Sequence, residues 1–201
     1  MALAQLGLVI GCAEGNFDEA RAAIALQKPD LIYCVKLAGV HWPEPFDWWV
    51  GLHPEWMTGY MQQRAALGHP RGFRTATCLE KELDPRKKDD TFEPDRRVSY
   101  RWPGMNSSAS SGIFAAKVAL EDCERVILAG VPMTKSKHFT RGREWSLLDS
   151  FLVGLKESIP HMTGRVRSMS GRTAELLGRP DPKWLSEVRN VGDMGRVQTP
   201  A

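Results

Sequence analysis

Cysteine is sparse in this chain and never paired. Four occur in 201 residues, at Cys12, Cys34, Cys78 and Cys123. No two form a C-x-x-C pair, so the common zinc-binding and thioredoxin-type patterns are excluded, and no metal ligands are predicted. Scattered thiols fit a reduced, intracellular setting. Cys12 and Cys34 each come after an apolar run and read as core-facing thiols at strand ends. Long apolar runs are also missing, so no membrane span is predicted. Val9-Ile10-Gly11-Cys12 has the shape of a lipoprotein cleavage box, but no Lys or Arg precedes it. A signal peptide needs a basic leading region, so a cytoplasmic protein is expected. Charge of one sign is lacking: a net charge of +3 predicts no specific nucleic-acid binding. No internal repeat and no G-x-G-x-x-G turn are present.

The chain does carry an alternation of short apolar runs and amphipathic stretches. Leu6 to Ile10 is a continuous apolar run, as expected of a strand covered on both faces. Gly11-Cys12-Ala13-Glu14-Gly15 makes the next turn. Asn16 then stands as a helix cap, with Glu19 in capping-box spacing. Leu31 to Val35 supplies the next strand, making a β-α-β opening for which parallel pairing is the default. Phe46 to Leu52 is a third run, and Pro54 is placed to open a helix reaching Ala66. Trp42, Trp48, Trp49 and Trp56 read as a core cluster or a stacking wall, and Trp48 and Trp49, which lie inside the third run, as core. Strands are also predicted at Phe73 to Cys78 and Val98 to Trp102, around a charged surface loop at residues 81–97. A serine-rich turn, a helix to Leu120 and a strand from Arg125 to Val131 come next. Glu144 to Ser158 has one apolar face and reads as a helix, Arg165 to Met169 as the last strand, and Ser170 to Leu177 as a short helix. The class is therefore α/β: one Rossmann-like domain over residues 1–189, an open and mostly parallel sheet with helices on both faces. Residues 190–201 form a polar tail without a core pattern.

Ligands of such sheets bind beyond the carboxyl ends of the strands, which selects the candidate site. Gly11 and Asn16 bracket the first strand–helix turn, a place where backbone can approach a phosphate. Ser110, Ser111 and Gly112 open the helix before the penultimate strand, with more hydroxyl and N–H groups than a cap needs. Directly after that strand comes Thr134-Lys135-Ser136-Lys137-His138-Phe139-Thr140-Arg141-Gly142-Arg143. Lys135 and Arg141 are candidates to neutralise a diphosphate or carboxylate. His138, titrating near neutrality, is the candidate general acid or base. Arg165, Arg167, Ser168, Ser170, Arg172 and Thr173 are candidates to add to the same pocket. His53 lies in the loop after the third strand, while His41, His69 and His161 show no metal-ligand spacing and read as surface residues.

Ser111-Gly112-Ile113-Phe114 through Leu120, then Arg125-Val126-Ile127-Leu128-Ala129-Gly130-Val131, resembles a stretch shared by two related Rossmann-like groups. One is the bacterial sialyltransferases that use CMP-sialic acid. The other contains 6-hydroxymethylpterin diphosphokinase and many bacterial and phage proteins. The resemblance is specific over Ser110 to Met133. It implies a nucleotide or nucleotide-sugar donor and a transferase moving a glycosyl or diphosphate group to a small acceptor, with a divalent metal left open. The sequence departs from the pattern in four places. The first loop runs Gly11 to Asn16 where the groups have G-x-G-P-S-L. Lys36 replaces an asparagine after the second strand, and Pro132 replaces an acid after the penultimate one. Ser168 and Ser170 stand where the sialyltransferases place a histidine. These departures motivate an alternative expectation: a non-catalytic binding or virion-associated structural protein of phage origin, assembling through its tail as an oligomer.

Overall fold

The structure, a computed structural model, describes residues 3–79, 92–107, 109–145 and 148–187. Its elements in chain order are β1 (Ala4–Ile10), α1 (Asn16–Leu26), β2 (Leu31–Val35), α2 (Leu37–His41), β3 (Trp48–Gly51), a 3-10 turn (Pro54–Trp56) and α3 (Met57–Ala66). They continue with β4 (Arg74–Cys78), β5 (Arg96–Val98), α4 (Ser111–Asp122), β6 (Cys123–Ala129), α5 (Leu148–Met162), β7 (Val166–Ser168), α6 (Gly171–Leu177) and α7 (Pro182–Ser186). The strands form one seven-stranded sheet in the order β5-β4-β3-β2-β1-β6-β7. Every neighbouring pair is parallel. This is a Rossmann-like α/β fold.

Alternation along the strands divides the core into two layers. Leu6, Leu8 and Ile10 of β1 and Ile127 and Ala129 of β6 pack on Ala20 and Ala23 of α1, with Trp49 and Met57. Val9, Val126 and Leu128 point the other way, onto Ile113, Phe114 and Ala116 of α4 and Leu155 of α5. Helices thus cover both faces, and that double burial is why β1 and β6 read as continuous apolar runs. At the far edge Trp48 is flanked by the guanidinium groups of Arg74 and Arg96, 4.1 and 4.3 Å from its ring. Arg96 also grips Asp122 of α4 with two hydrogen bonds of 3.0 Å, tying the short edge strand β5 to a helix of the central layer.

The structure moves several expectations. The strand expected at Val98 to Trp102 is β5, two residues earlier. The described end of the charged segment, 92–95, leads straight into it; residues 80–91 lie outside the described residues, as does the tail. The capping box at α1 does not form. Gly15 is the cap residue, at φ 76° with no side-chain cap bond, while Glu19 accepts a 2.7 Å bond from the Gly130 N–H. Glu19 therefore serves the loop after β6 rather than its own helix end. The helix expected from Glu144 is α5, and α2 and α7 are additional. Trp48 and Trp49 are core residues, at 2% and 0% exposure. No helix among the described residues is long and apolar enough to cross a membrane.

The chain leaves β1 toward β2 on one side and reaches β6 on the other, so strand order reverses around β1. A crevice opens beyond the carboxyl ends of the strands at such a point. The loops after β1 and β6 approach so closely that a Cβ on Gly11 would overlap the Gly130 carbonyl oxygen, and Gly130 itself sits at φ 66°, a conformation glycine adopts at no steric cost. Gly11 N–H donates to Ala129 O at 2.7 Å, closing the floor of the crevice.

Candidate functional site

Above that floor lies a cleft of about 790 Å³. It is lined by the loop after β1, Lys36 and Leu37 after β2, the first residues of α4, Trp56 and Tyr60, and the segment after β6. The basic segment is folded rather than loose. Its backbone makes antiparallel bridges between Ala13 and His138 and between Lys137 and Glu144. Phe139 N–H donates to Cys12 O at 3.1 Å and Glu14 N–H to Lys137 O at 2.8 Å. The Phe139 ring anchors it against Phe17, 5.2 Å away. A small hairpin thus holds Lys137, Arg141 and Arg143 on the first loop, against the cleft.

Four cationic side chains line the cleft, Lys36, Lys137, Arg141 and Arg143, against one carboxylate, Glu144. None of the four makes a side-chain hydrogen bond or ion pair among the described residues. Burial pulls the Lys36 ammonium below its ordinary range, Arg141 pulls it further, and the neighbouring Cys12 and Glu55 oppose the shift. Burial likewise lowers His138, with Arg141, Lys36 and His41 adding to the effect. Burial raises the Tyr60 hydroxyl to about 12 and pushes the Cys12 thiol up, so both stay protonated at neutral pH. The cleft is a cluster of like charges, and an anion placed there relieves their repulsion.

Anion binding should therefore depend on pH. Burial and then the neighbouring cations lower His138; an anion seated among those cations favours its charged form, so anion uptake takes up a proton. Sulfate keeps its charge across the neutral range. Its affinity, read by isothermal titration, is expected to rise about threefold from pH 8 to pH 6. His138→Gln is expected to flatten that slope; an unchanged slope would show that His138 does not sense the anion.

Lys36 carries a second signal. Its backbone sits at φ 44°, ψ −119°, and Met133 sits at φ 50°. These are the two non-glycine residues with positive φ among the described residues, and both line the cleft. Strain of this kind persists only where the surroundings impose it, and it concentrates at functional sites. At Lys36 the N–H donates to Val50 O at 3.1 Å, and the carbonyl accepts from Trp49 Nε1 at 2.8 Å.

The structure sorts the candidate residues. Gly11, Ser110, Ser111, Gly112, His138 and Arg141 come together on the cleft. Ser110 is the cap of α4, its hydroxyl accepting from Ile113 N–H at 3.3 Å, which leaves the first N–H groups of the helix without an intrahelical partner. Asn16 does not line the cleft. It is 2% exposed and donates to Gly11 O at 2.6 Å, a brace across the loop after β1. Lys135 is exposed and also stands outside the lining. The residues around β7 are engaged elsewhere: Arg165 bonds the Glu124, Leu120 and Cys123 carbonyls at 2.9 to 3.1 Å, Arg167 the Leu177 carbonyl, and Thr173 Oγ1 Val131 O at 2.7 Å. None of that group lines the cleft.

His138 has a defined tautomer. Its Nδ1 lies 3.3 Å from the Thr140 N–H and 3.0 Å from Thr140 Oγ1. A backbone N–H only donates, so Nδ1 accepts and, in the neutral ring, Nε2 carries the hydrogen. In the neutral ring His138 therefore presents Nε2–H as a donor, and its basic nitrogen, Nδ1, is turned onto Thr140 rather than onto a substrate hydroxyl. Of the tryptophans read as a core cluster or stacking wall, Trp56 lines the cleft; Tyr60, Trp145 and Lys36 are cleft residues that motif reading does not single out, the sequence marking Lys36 only as a departure after β2. Among the described residues no cluster of His, Cys, Asp and Glu is arranged to hold a metal ion.

No family model matches the chain, and no curated protein matches it. Among solved structures it is similar to a mammalian sialyltransferase in complex with Gal-beta-1-3GalNAc-ortho-nitrophenol, with TM-score 0.45 and 15% sequence identity. That alignment covers 84% of this chain and 70% of the other.

Proposed function

We propose that the cleft binds the phosphate of a nucleotide or nucleotide-sugar, and that the protein is a nucleotide-dependent transferase acting on a small acceptor. One observation carries the reading. Four cations without partners among the described residues, Lys36, Lys137, Arg141 and Arg143, share a cleft with the Ser110–Gly112 helix start at the point where strand order reverses. Charge of this kind, together with free helix N–H groups, suits a phosphate. Trp56 and Trp145 on the same cleft offer flat apolar surface for a base. The Ser110 to Met133 stretch that resembles the sialyltransferase and diphosphokinase groups supports the same donor class.

In such a reaction the cations and the α4 N–H groups stabilise the charge that builds on the departing phosphate oxygen. His138, with hydrogen on Nε2, adds a donor to the same oxygen. Thermal-shift titration with CTP, CMP, ATP and UDP-sugars tests the reading. A saturating ligand is expected to raise the melting temperature by a few degrees. Arg141→Ala is expected to weaken that ligand about tenfold and to leave the free protein's stability nearly unchanged, because exposed side chains rarely contribute more than about 0.5 kcal/mol. No shift with any of these nucleotides would remove the reading and favour a binding or structural role.

A further inference from the structure

A buried carboxylate stands beside the cleft with half of its oxygens unused. Glu55 lies in the 3-10 turn after β3, and its side chain is 0% exposed. Oε1 is 3.1 Å from His53 Nδ1, while Oε2 is buried without a hydrogen-bond partner among the described residues. Leaving a carboxylate oxygen buried and unpaired is costly, so packing alone does not account for this residue. His53 is 43% exposed at the side chain; it stands outside the cleft lining, and its ring lies 6.0 Å from that of Trp56, which belongs to the lining. Glu55 is also close enough to act electrostatically on Lys36 and Tyr60, both cleft residues.

The pairing selects one imidazole tautomer when the carboxylate is ionised. An ionised carboxylate only accepts, so in that pair Nδ1 donates and Nε2 is a bare basic nitrogen. His138 has the opposite arrangement. Of the two, only His53 offers a nitrogen ready to receive a proton while a carboxylate behind it stabilises the resulting cation.

We infer that His53, positioned by Glu55, is the proton acceptor of the site and serves an acceptor hydroxyl that extends past Trp56 to the rim of the cleft beyond β3. The inference rests on the transferase reading. In the step, His53 Nε2 takes the hydroxyl proton and the oxygen bonds to the transferred group. The bond from that group to the nucleotide phosphate oxygen breaks, and its electron pair leaves on the phosphate among Lys36, Arg141 and Arg143. The proton on Nε2 then passes to water. His53 is the catalytic residue and Glu55 its positioning residue.

Two measurements test this. Long-range proton–nitrogen NMR of the histidine rings at pH 8 should show His53 protonated on Nδ1 with bare Nε2, and Glu55→Gln should mix the tautomers. Release of nucleotide from CMP-, UDP- and GDP-sugars with small hydroxyl acceptors should fall at least 100-fold in His53→Gln and about tenfold in Glu55→Gln, with thermal shifts by the same donors unchanged. The inference is overturned if His53 carries its hydrogen on Nε2, or if His53→Gln turns over at the wild-type rate. A wild type that binds these donors and transfers from none of them overturns the transferase reading, and the proton-acceptor role with it. A wild type that binds none overturns the cleft reading itself, which the ring tautomer does not depend on.

Discussion

Arg64→Met is expected to destabilise the protein by about 4 kcal/mol, seen as a fall of about 10 °C in melting temperature for a domain of this size. The residue is 1% exposed and comes from α3. Its guanidinium donates to four carbonyls: Pro70 at 2.8 Å, Gly39 at 2.8 Å, Trp42 at 2.6 Å and Glu44 at 3.2 Å. It also lies 4.6 Å from the centre of the Phe46 ring. The carbonyls belong to the end of α2 and to the loops that lead to β3 and β4, segments too short to pair their own backbone. One cation thus satisfies backbone that a regular element satisfies by itself. Hydrogen bonds to a charged group contribute about 1.5–3 kcal/mol each, and a buried carbonyl left unpaired costs about 1–3 kcal/mol. Methionine matches the length and apolar stem but returns none of these bonds. Arg64→Lys retains the charge without the planar fork and reaches fewer acceptors, so about half the loss is expected. Chemical denaturation of the three proteins checks both values. Arg64→Met within about 1 kcal/mol of wild type would mean that water re-satisfies those carbonyls and that the guanidinium is not what holds α2 in place.

Arg64 also marks where the sequence is hard to read. In a helix pattern an arginine is taken as solvated, and nothing nearby signals that α3 turns this one inward. The strands β1, β2 and β6 are legible because burial on both faces leaves an uninterrupted apolar run. Strand β5 is misplaced by pattern alone because Arg96 and Arg97 look like loop residues, and Arg96 is explained by Asp122, Glu121 and Trp48 across the fold. At the site, the basic segment after β6 is legible by position: a loop leaving a central parallel strand lands at the carboxyl edge of the sheet. The same reasoning assigns Asn16 and Lys135 to the cleft, whose lining includes neither, since position does not tell a side chain's direction. His53 is visible in the sequence only as a histidine before a proline. Its pairing with Glu55 depends on the 3-10 turn that buries the carboxylate, which no periodicity reports.

Lys36→Gly is expected to make the protein more stable and less able to bind its ligand. Lysine at φ 44°, ψ −119° occupies a region suited to glycine, and such strain costs about 1–3 kcal/mol. Glycine adopts it freely, at an entropic cost of about 0.5–1 kcal/mol in the unfolded chain. The buried ammonium, held below its ordinary range by burial and by Arg141, adds a desolvation cost that the substitution removes. The balance favours glycine by about 1 kcal/mol, or a rise of about 2–4 °C in melting temperature. Binding moves the opposite way. A partly desolvated cation facing phosphate contributes about 2–3 kcal/mol, so nucleotide or sulfate affinity is expected to fall about 30- to 100-fold. Lys36→Met separates the two effects. It removes the charge but retains a Cβ at the same φ, so affinity should fall equally while the gain from relieved strain is absent. A glycine variant no more stable than the methionine one would show that the backbone at 36 relaxes at no cost. Such relaxation would make the conformation incidental to the cleft. A gain in stability paired with lost affinity would show that the protein holds Lys36 in an unfavourable backbone state because the ligand requires a cation at that point.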